Sequence, residues 1–274
     1  MNRSKIEWTD WTWNPVTGCL HGCPYCYARA FANRFAPRSE KDIVVAFSQM
    51  CYDHKNACTL RELTARVVAE KKNGKMGGSA FPFGFEPTLH RYRLFEPQHV
   101  KEPGSVFVCS MADLFGDWVP DQWINAVFDA CRAAPQHRYL FLTKNPRRYM
   151  DIAKVGELPT GDNFWYGTTI TTTDQPYFRS NRHNCFLSIE PIFEDFGSWY
   201  INSSINWVIV GAETGNRKGK VTPQKGWIDN IAFRCSKDYR MYDSEIPLFM
   251  KNSLRDLMGN DFRQEFPWEI KQDD

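Results

Sequence analysis

At 274 residues and a formal net charge of +2, the chain has room for one large domain or two small ones, and it is too nearly neutral for charge alone to indicate a polyanionic partner. Apolar residues make up 42% of it, enough for a sizeable core, yet no apolar run reaches the length of a membrane span. Nine cysteines, an odd number, and a start without an apolar leader core argue against a disulfide-stapled secreted domain and set the expectation of a soluble, cytoplasmic protein in a reducing compartment.

In chain order, Trp11–Asn14 alternates like a short strand. The spacing then predicts a helix from about Tyr25 to Phe35, stopped by Pro37. Val44–Phe47 reads as a short strand, with Cys51 and Cys58 nearby as ordinary small apolar residues. Thr59 and Glu62 form a capping-box signature, and Leu60, Leu63 and Val67 follow at helical spacing, so a helix is expected up to Asn73-Gly74. Apolar strands are expected at Val106–Ser110, Tyr139–Leu142, Phe164–Ile170, Phe186–Ile189, Trp207–Gly211 and Pro247–Met250. Helices are expected after Pro120, with Ile124, Val127, Phe128 and Cys131 on one face, around Arg147–Ala153, and again where Ile228, Ile231 and Cys235 recur. The strands are continuously apolar, as in a parallel sheet covered on both faces. This rhythm of strand, polar end and helix predicts an α/β fold, a single (β/α) barrel over residues 1–274, complete or partial and TIM-like.

The densest chemistry lies in Cys19-Leu20-His21-Gly22-Cys23-Pro24-Tyr25-Cys26. Three cysteines at C-x3-C-x2-C spacing can turn three thiolates toward one region, and no fourth follows closely. On a four-iron cluster, three thiolates leave one iron open to a ligand that is not protein. Zinc is the other reading, with His21 as a fourth ligand. His21 lies two residues from both Cys19 and Cys23, which is awkward for tetrahedral closure, and no second C-x2-C knuckle is present.

With Tyr25 before the last cysteine, the loop resembles the cluster loop of radical S-adenosylmethionine (SAM) enzymes. The longer run through Ile6–Asp10, Asn14–Cys19 and Pro24–Ala28 is similar to a phage- and prophage-associated branch of that superfamily. Gly84-Phe85-Glu86-Pro87 resembles the Gly-Gly-Glu-Pro segment that follows the second strand in those enzymes, with Phe85 in place of the second glycine. The resemblance implies a [4Fe–4S] cluster on Cys19, Cys23 and Cys26. It also implies bound SAM, with Tyr25, Gly84 and Glu86 among the cofactor-binding residues and the Glu86 carboxylate and its neighbouring backbone taking the amino group. The activity implied is reductive SAM cleavage that starts radical chemistry, fed by an external electron donor of flavodoxin or ferredoxin type. No substrate is implied.

In a barrel, function gathers where strands end. Those ends supply Glu86, Ser110, Asp113, Thr143, Lys144, Glu190, Glu213 and Lys251. Strand order puts Ser110, Thr143 and Lys144 near the SAM ribose or carboxylate. Glu190 and Glu213 are the catalytic candidates, placed for substrate or a proton relay, and each would serve equally as a helix cap or an ion-pair partner. Arg91, Arg93, Lys144, Arg147, Arg148, Arg217, Lys218 and Lys220 fall in the same loops. On one rim they would make a positive mouth for an anionic substrate, a nucleotide or nucleic acid; dispersed, they are solvated surface charge. The rival from another class is a binding protein with a zinc or iron–sulfur staple and no turnover.

Overall fold

The computed structural model describes residues 1–37, 43–44, 48–53, 58–70, 76–240 and 244–269. Two compact units divide the chain: Met1–Lys5 with Thr9–Arg148, and Ile6–Trp8 with Tyr149–Asp274.

The first unit contains β1 (Asn2–Arg3), β2 (Trp11–Trp13), β3 (Val16–Thr17), α1 (Tyr27–Phe35), β4 (Ile43–Val44), β5 (Ser48–Asp53), β6 (Cys58–Leu63), β7 (Val68–Glu70), β8 (Met76–Gly78), β9 (Thr88–His90), α2 (Glu96–His99), β10 (Ser105–Val108), α3 (Asp121–Arg132) and β11 (Arg138–Thr143). Its main strands lie side by side as β1, β2, β10 and β11. β2, β10 and β11 run parallel, with Trp13 opposite Val108 and Val108 opposite Phe141, while β1 is antiparallel. The apolar stripe expected on α3 is buried as expected: Ile124, Val127, Phe128 and Cys131 are all covered. Phe128 meets Phe141 of β11 and Phe115 with ring centroids 5.5 and 6.1 Å apart. Each such buried side chain contributes about 1.5–3 kcal/mol. Two small sheets use the stretch between α1 and β10: β9, β6 and β5 join β3 from before α1, and β4, β7 and β8 form the other.

α4 (Pro146–Lys154) straddles the division between the units. The second unit then carries β12 (Phe164–Ile170), β13 (Asn184–Ile189), β14 (Ile205–Val210), α5 (Lys225–Cys235), β15 (Leu248–Met250) and α6 (Arg255–Met258). Its four strands are parallel and adjacent in chain order. Trp8, Phe186 and Trp207 form one aromatic cluster there, with centroids 5.7–6.3 Å apart.

The barrel expectation is corrected. The structure is a mixed α/β arrangement of eight main strands, four in each unit, with six short helices among the described residues. The links from β12 to β13 and from β13 to β14 carry no helix. Side chains there take the backbone amides that a helix would use. Gln175 Oε1 accepts from the amides of Thr171 and Thr172 at 2.5 and 3.2 Å, and Glu194 Oε1 accepts from the amide of Thr173 at 2.6 Å.

The helix expected from Thr59 is also corrected. Residues 58–63 are strand β6, antiparallel to β5 and parallel to β9. Glu62 caps nothing: its carboxylate accepts from Trp123 Nε1 at 2.7 Å and from Arg91 Nε at 2.7 Å. Pairing to two neighbouring strands outweighs a weak local helix preference. Of the strand expected at Val44–Phe47, Ile43–Val44 is strand and residues 45–47 lie outside the described residues, as do the side chains of Cys51 and Cys58.

Candidate metal and cofactor site

The site begins where β2 hands the chain to the cysteine loop. Val16 and Thr17 pair antiparallel with Leu89 and Thr88. Thr17 Oγ1 lies 2.9 Å from His90 Nε2. Burial holds His90 well below its ordinary pKa, so its ring is neutral and serves as a fixed hydrogen-bonding partner. Gly18 follows with φ +89°, and a Cβ there would stand 2.2 Å from the Glu86 carbonyl oxygen. Only a residue without a side chain permits this approach. The Gly18 amide donates to the Met111 carbonyl at 2.9 Å, and the Cys19 amide donates to the Phe85 carbonyl at 3.3 Å. Cys26 is the N-cap of α1, its sulfur accepting from the Arg29 amide at 3.3 Å. The Arg29 guanidinium reaches back to the Cys19 carbonyl at 2.9 Å and lies over the Phe85 ring, 5.0 Å from its centroid.

Cys19 and Cys26 pack against an apolar wall of Ala28, Ala32, Phe81, Phe85 and Met111. Cys23, Cys26, Arg29 and Asn33 border a cleft of about 710 Å³. Burial pushes the Cys19 thiol up to about 12, so metal uptake there releases a proton. Among the described residues no group of three or more His, Cys, Asp and Glu side chains is disposed to hold one metal ion. A four-iron cluster takes each thiolate on a separate iron and makes no such demand. Three soft sulfurs on one short loop, two of them against apolar surface and two on a cleft, suit that group.

Asp113 is the hub beneath the loop. Oδ1 accepts from Thr143 Oγ1 at 2.7 Å and from the Phe115 amide at 3.0 Å; Oδ2 accepts from His21 Nε2 at 2.7 Å and from the Lys144 amide at 2.9 Å. The Lys144 ammonium in turn donates to Tyr25 Oη at 3.1 Å. Thr143 and Lys144 thus share Asp113, and Lys144 also reaches Tyr25. Ser110 donates to Asn14 Oδ1 at 3.2 Å, and the same oxygen takes the Met111 amide at 2.9 Å. His21, the alternative zinc ligand, has its Nε2 committed to Asp113. Asn14, Asp113, Arg29 and Asn33 are the site residues that motif reading passed over or left without a role. A polar side chain one to five positions beyond an apolar strand is the signal that marks the first two.

The Gly84–Pro87 segment lies against the loop, but its place in the chain differs from the expectation. It precedes β9 of a small sheet, while the strand parallel to β2 in the main sheet is β10, which is followed by Ser110–Asp113. Gly84 has φ +62°. The Glu86 carboxylate is half-exposed and pairs with Arg61 Nε at 3.2 Å.

Glu190 and Glu213 belong to the second unit. Glu190 is ion-paired with Lys251. Glu213 is only 2% exposed and holds Arg217 through two bonds of 2.5 and 2.7 Å. That pairing holds the Glu213 pKa below its ordinary value of 4.5, so the group is set as a carboxylate rather than tuned as an acid. Several of the loop cations are likewise engaged: Arg91 pairs with Glu62, Arg148 with Asp121, and Arg93 donates to the Asn14 carbonyl. Arg217→Ala is expected to lower the urea midpoint at neutral pH. The deficit against wild type should be complete above about pH 4.5 and shrink as the pH falls through the lowered folded value, because protonation removes the same pair from the wild type. Equal midpoints at neutral pH would show that the pair does not hold this loop.

Among the described residues no helix is long and apolar enough to cross a membrane. Comparison with curated proteins and with solved structures found no match. A family model described as "Protein of unknown function (DUF5131)" matches residues 3–252, nearly the whole chain, and the protein belongs to that family.

Proposed function

We propose that the protein is a radical SAM enzyme in which Cys19, Cys23 and Cys26 hold a [4Fe–4S] cluster. The observation that carries this reading is a juxtaposition. Gly18-Cys19 and Phe85-Glu86, more than sixty residues apart, meet backbone to backbone, closely enough that Gly18 can bear no side chain. These are the two segments that carry the resemblance, and their contact supports one shared site.

When bound, such a cluster supplies the electron that cleaves SAM to methionine and a 5′-deoxyadenosyl radical. The protein's own contribution is placement. The carbonyls of Phe85 and Met111 fix the entry of the loop, and the helix α1 amide at Arg29 fixes Cys26. Glu86 is assigned to the SAM ammonium. Its half-exposed pair with Arg61 is worth no more than about 1 kcal/mol, so exchanging partners costs little. Lys144, whose ammonium reaches Tyr25 of the cysteine loop, is assigned to the SAM carboxylate or ribose. Thr143 shares the Asp113 carboxylate with the Lys144 amide, and Ser110, held by Asn14, is assigned to the same ligand. The apolar wall of Phe81, Phe85 and Met111 limits water beside the sulfurs.

The test is anaerobic reconstitution with iron and sulfide. Brown protein with about four irons per chain, forming 5′-deoxyadenosine from SAM under dithionite, is the expected result. Colourless protein that carries only zinc overturns the reading. Iron uptake with no SAM cleavage favours a stapled binding protein instead.

A further inference from the structure

No residue of the cysteine loop from Cys19 to Cys26 is fully buried. At its middle, Gly22 has φ +70°, and a Cβ there would meet nothing within 4 Å. Two side chains inside the loop reach out to other segments. His21 goes to Asp113 directly, at 2.7 Å. Tyr25 takes the Lys144 ammonium at 3.1 Å, and the Lys144 amide is itself bound to Asp113 at 2.9 Å. Both tethers therefore converge on one carboxylate. That carboxylate is buried, with 7% of its side chain exposed.

A carboxylate has about four lone-pair sites. Asp113 receives four protein donors, from His21, Phe115, Thr143 and Lys144. No acceptor capacity is left for a ligand, so its role is placement. The second side of the His21 ring is set by Trp118, edge-on at 4.9 Å between centroids. Asp113 itself is anchored by its own turn: the Ala112 amide donates to the Cys109 carbonyl at 3.0 Å, and Gly18 bridges Ala112.

We propose that Asp113 is the positioning residue of the cysteine loop, holding it through His21 and through the Thr143–Lys144 strand end so that the three sulfurs are presented before any metal arrives. This rests on the reading of Cys19, Cys23 and Cys26 as ligands. It adds that cluster loading depends on a carboxylate that touches no sulfur. His21 is then a tether and not a fourth ligand.

The experiment is amide hydrogen exchange on the full-length, metal-free protein, comparing His21→Ala, His21→Gln and Asp113→Asn with wild type. In His21→Ala, exchange in the peptide spanning residues 19–26 is expected to rise by about fivefold or more, while the peptide spanning α3 stays within about twofold of wild type. Glutamine at position 21 keeps an N–H donor at similar reach, so His21→Gln should restore most of the protection. Iron retained after reconstitution should follow the same order. Unchanged loop exchange in His21→Ala would overturn the proposal, as would equal acceleration of α3, or His21→Gln behaving like His21→Ala. If Asp113→Asn does not fold, the His21 pair still decides the matter. Iron uptake by the wild type is read separately: its failure sinks the ligand assignment, and exchange on metal-free protein still decides whether the carboxylate holds the loop.

Discussion

Cys23→Ala is expected to abolish cluster binding, with iron falling from about four per chain to well below one, because a cluster deprived of one of three thiolates loses its anchorage. Cys23 is the informative position. Cys19 packs against the apolar wall and Cys26 caps α1, so replacing either also disturbs the fold. Cys23 faces the cleft and does neither. The control is Cys131→Ala. Cys131 is fully buried on α3, and losing its sulfur costs about 1 kcal/mol of packing while leaving the loop untouched. Iron and sulfide analysis with visible absorption reads both variants. Equal retention of iron in the two would refute the ligand set.

Gly18→Ala carries the second large effect. The added methyl would stand 2.2 Å from the Glu86 carbonyl oxygen and 2.7 Å from the Pro87 nitrogen, both backbone atoms with no rotamer in which to retreat. The residue also holds φ +89°, which alanine adopts only at a cost. Overpacking and left-handed backbone together come to roughly 2–5 kcal/mol. Gly22→Ala separates the two contributions. Its φ is +70° but its Cβ position is empty, so only the backbone cost of about 1–2 kcal/mol applies. Urea unfolding of the two variants should therefore differ by more than about 1 kcal/mol in the order given. Similar losses at the two positions would show that Gly18 and Glu86 are not in contact.

Several helices and strands were readable because their apolar pattern is plain along the chain. α3 shows its apolar stripe at helical spacing, and β11 and β14 are near-continuous apolar runs. The region from Thr59 to Leu63 was misread for the converse reason. Leu60 and Leu63, three residues apart, satisfy a helical template locally, and β6 exists because β5 and β9 lie on either side of it. The barrel expectation failed likewise: the links from β12 to β13 and from β13 to β14 carry no helix, and Gln175 and Glu194 accept from backbone amides there, bonds that no pattern of apolar residues records.

The amino-acid sequence by itself determined the chemistry on offer: three thiols within eight residues and polar residues beyond apolar strands. Spacing along the chain is enough for that, because ligand type and local turn geometry are short-range properties. Tertiary structure alone decided which of those polar residues belong together. Asp113 was one acid among several until four donors from three segments converged on it. Hydrogen-bond partners 30 or 90 residues apart are set by how the strands pair, and strand pairing is a property of the folded unit rather than of any stretch within it.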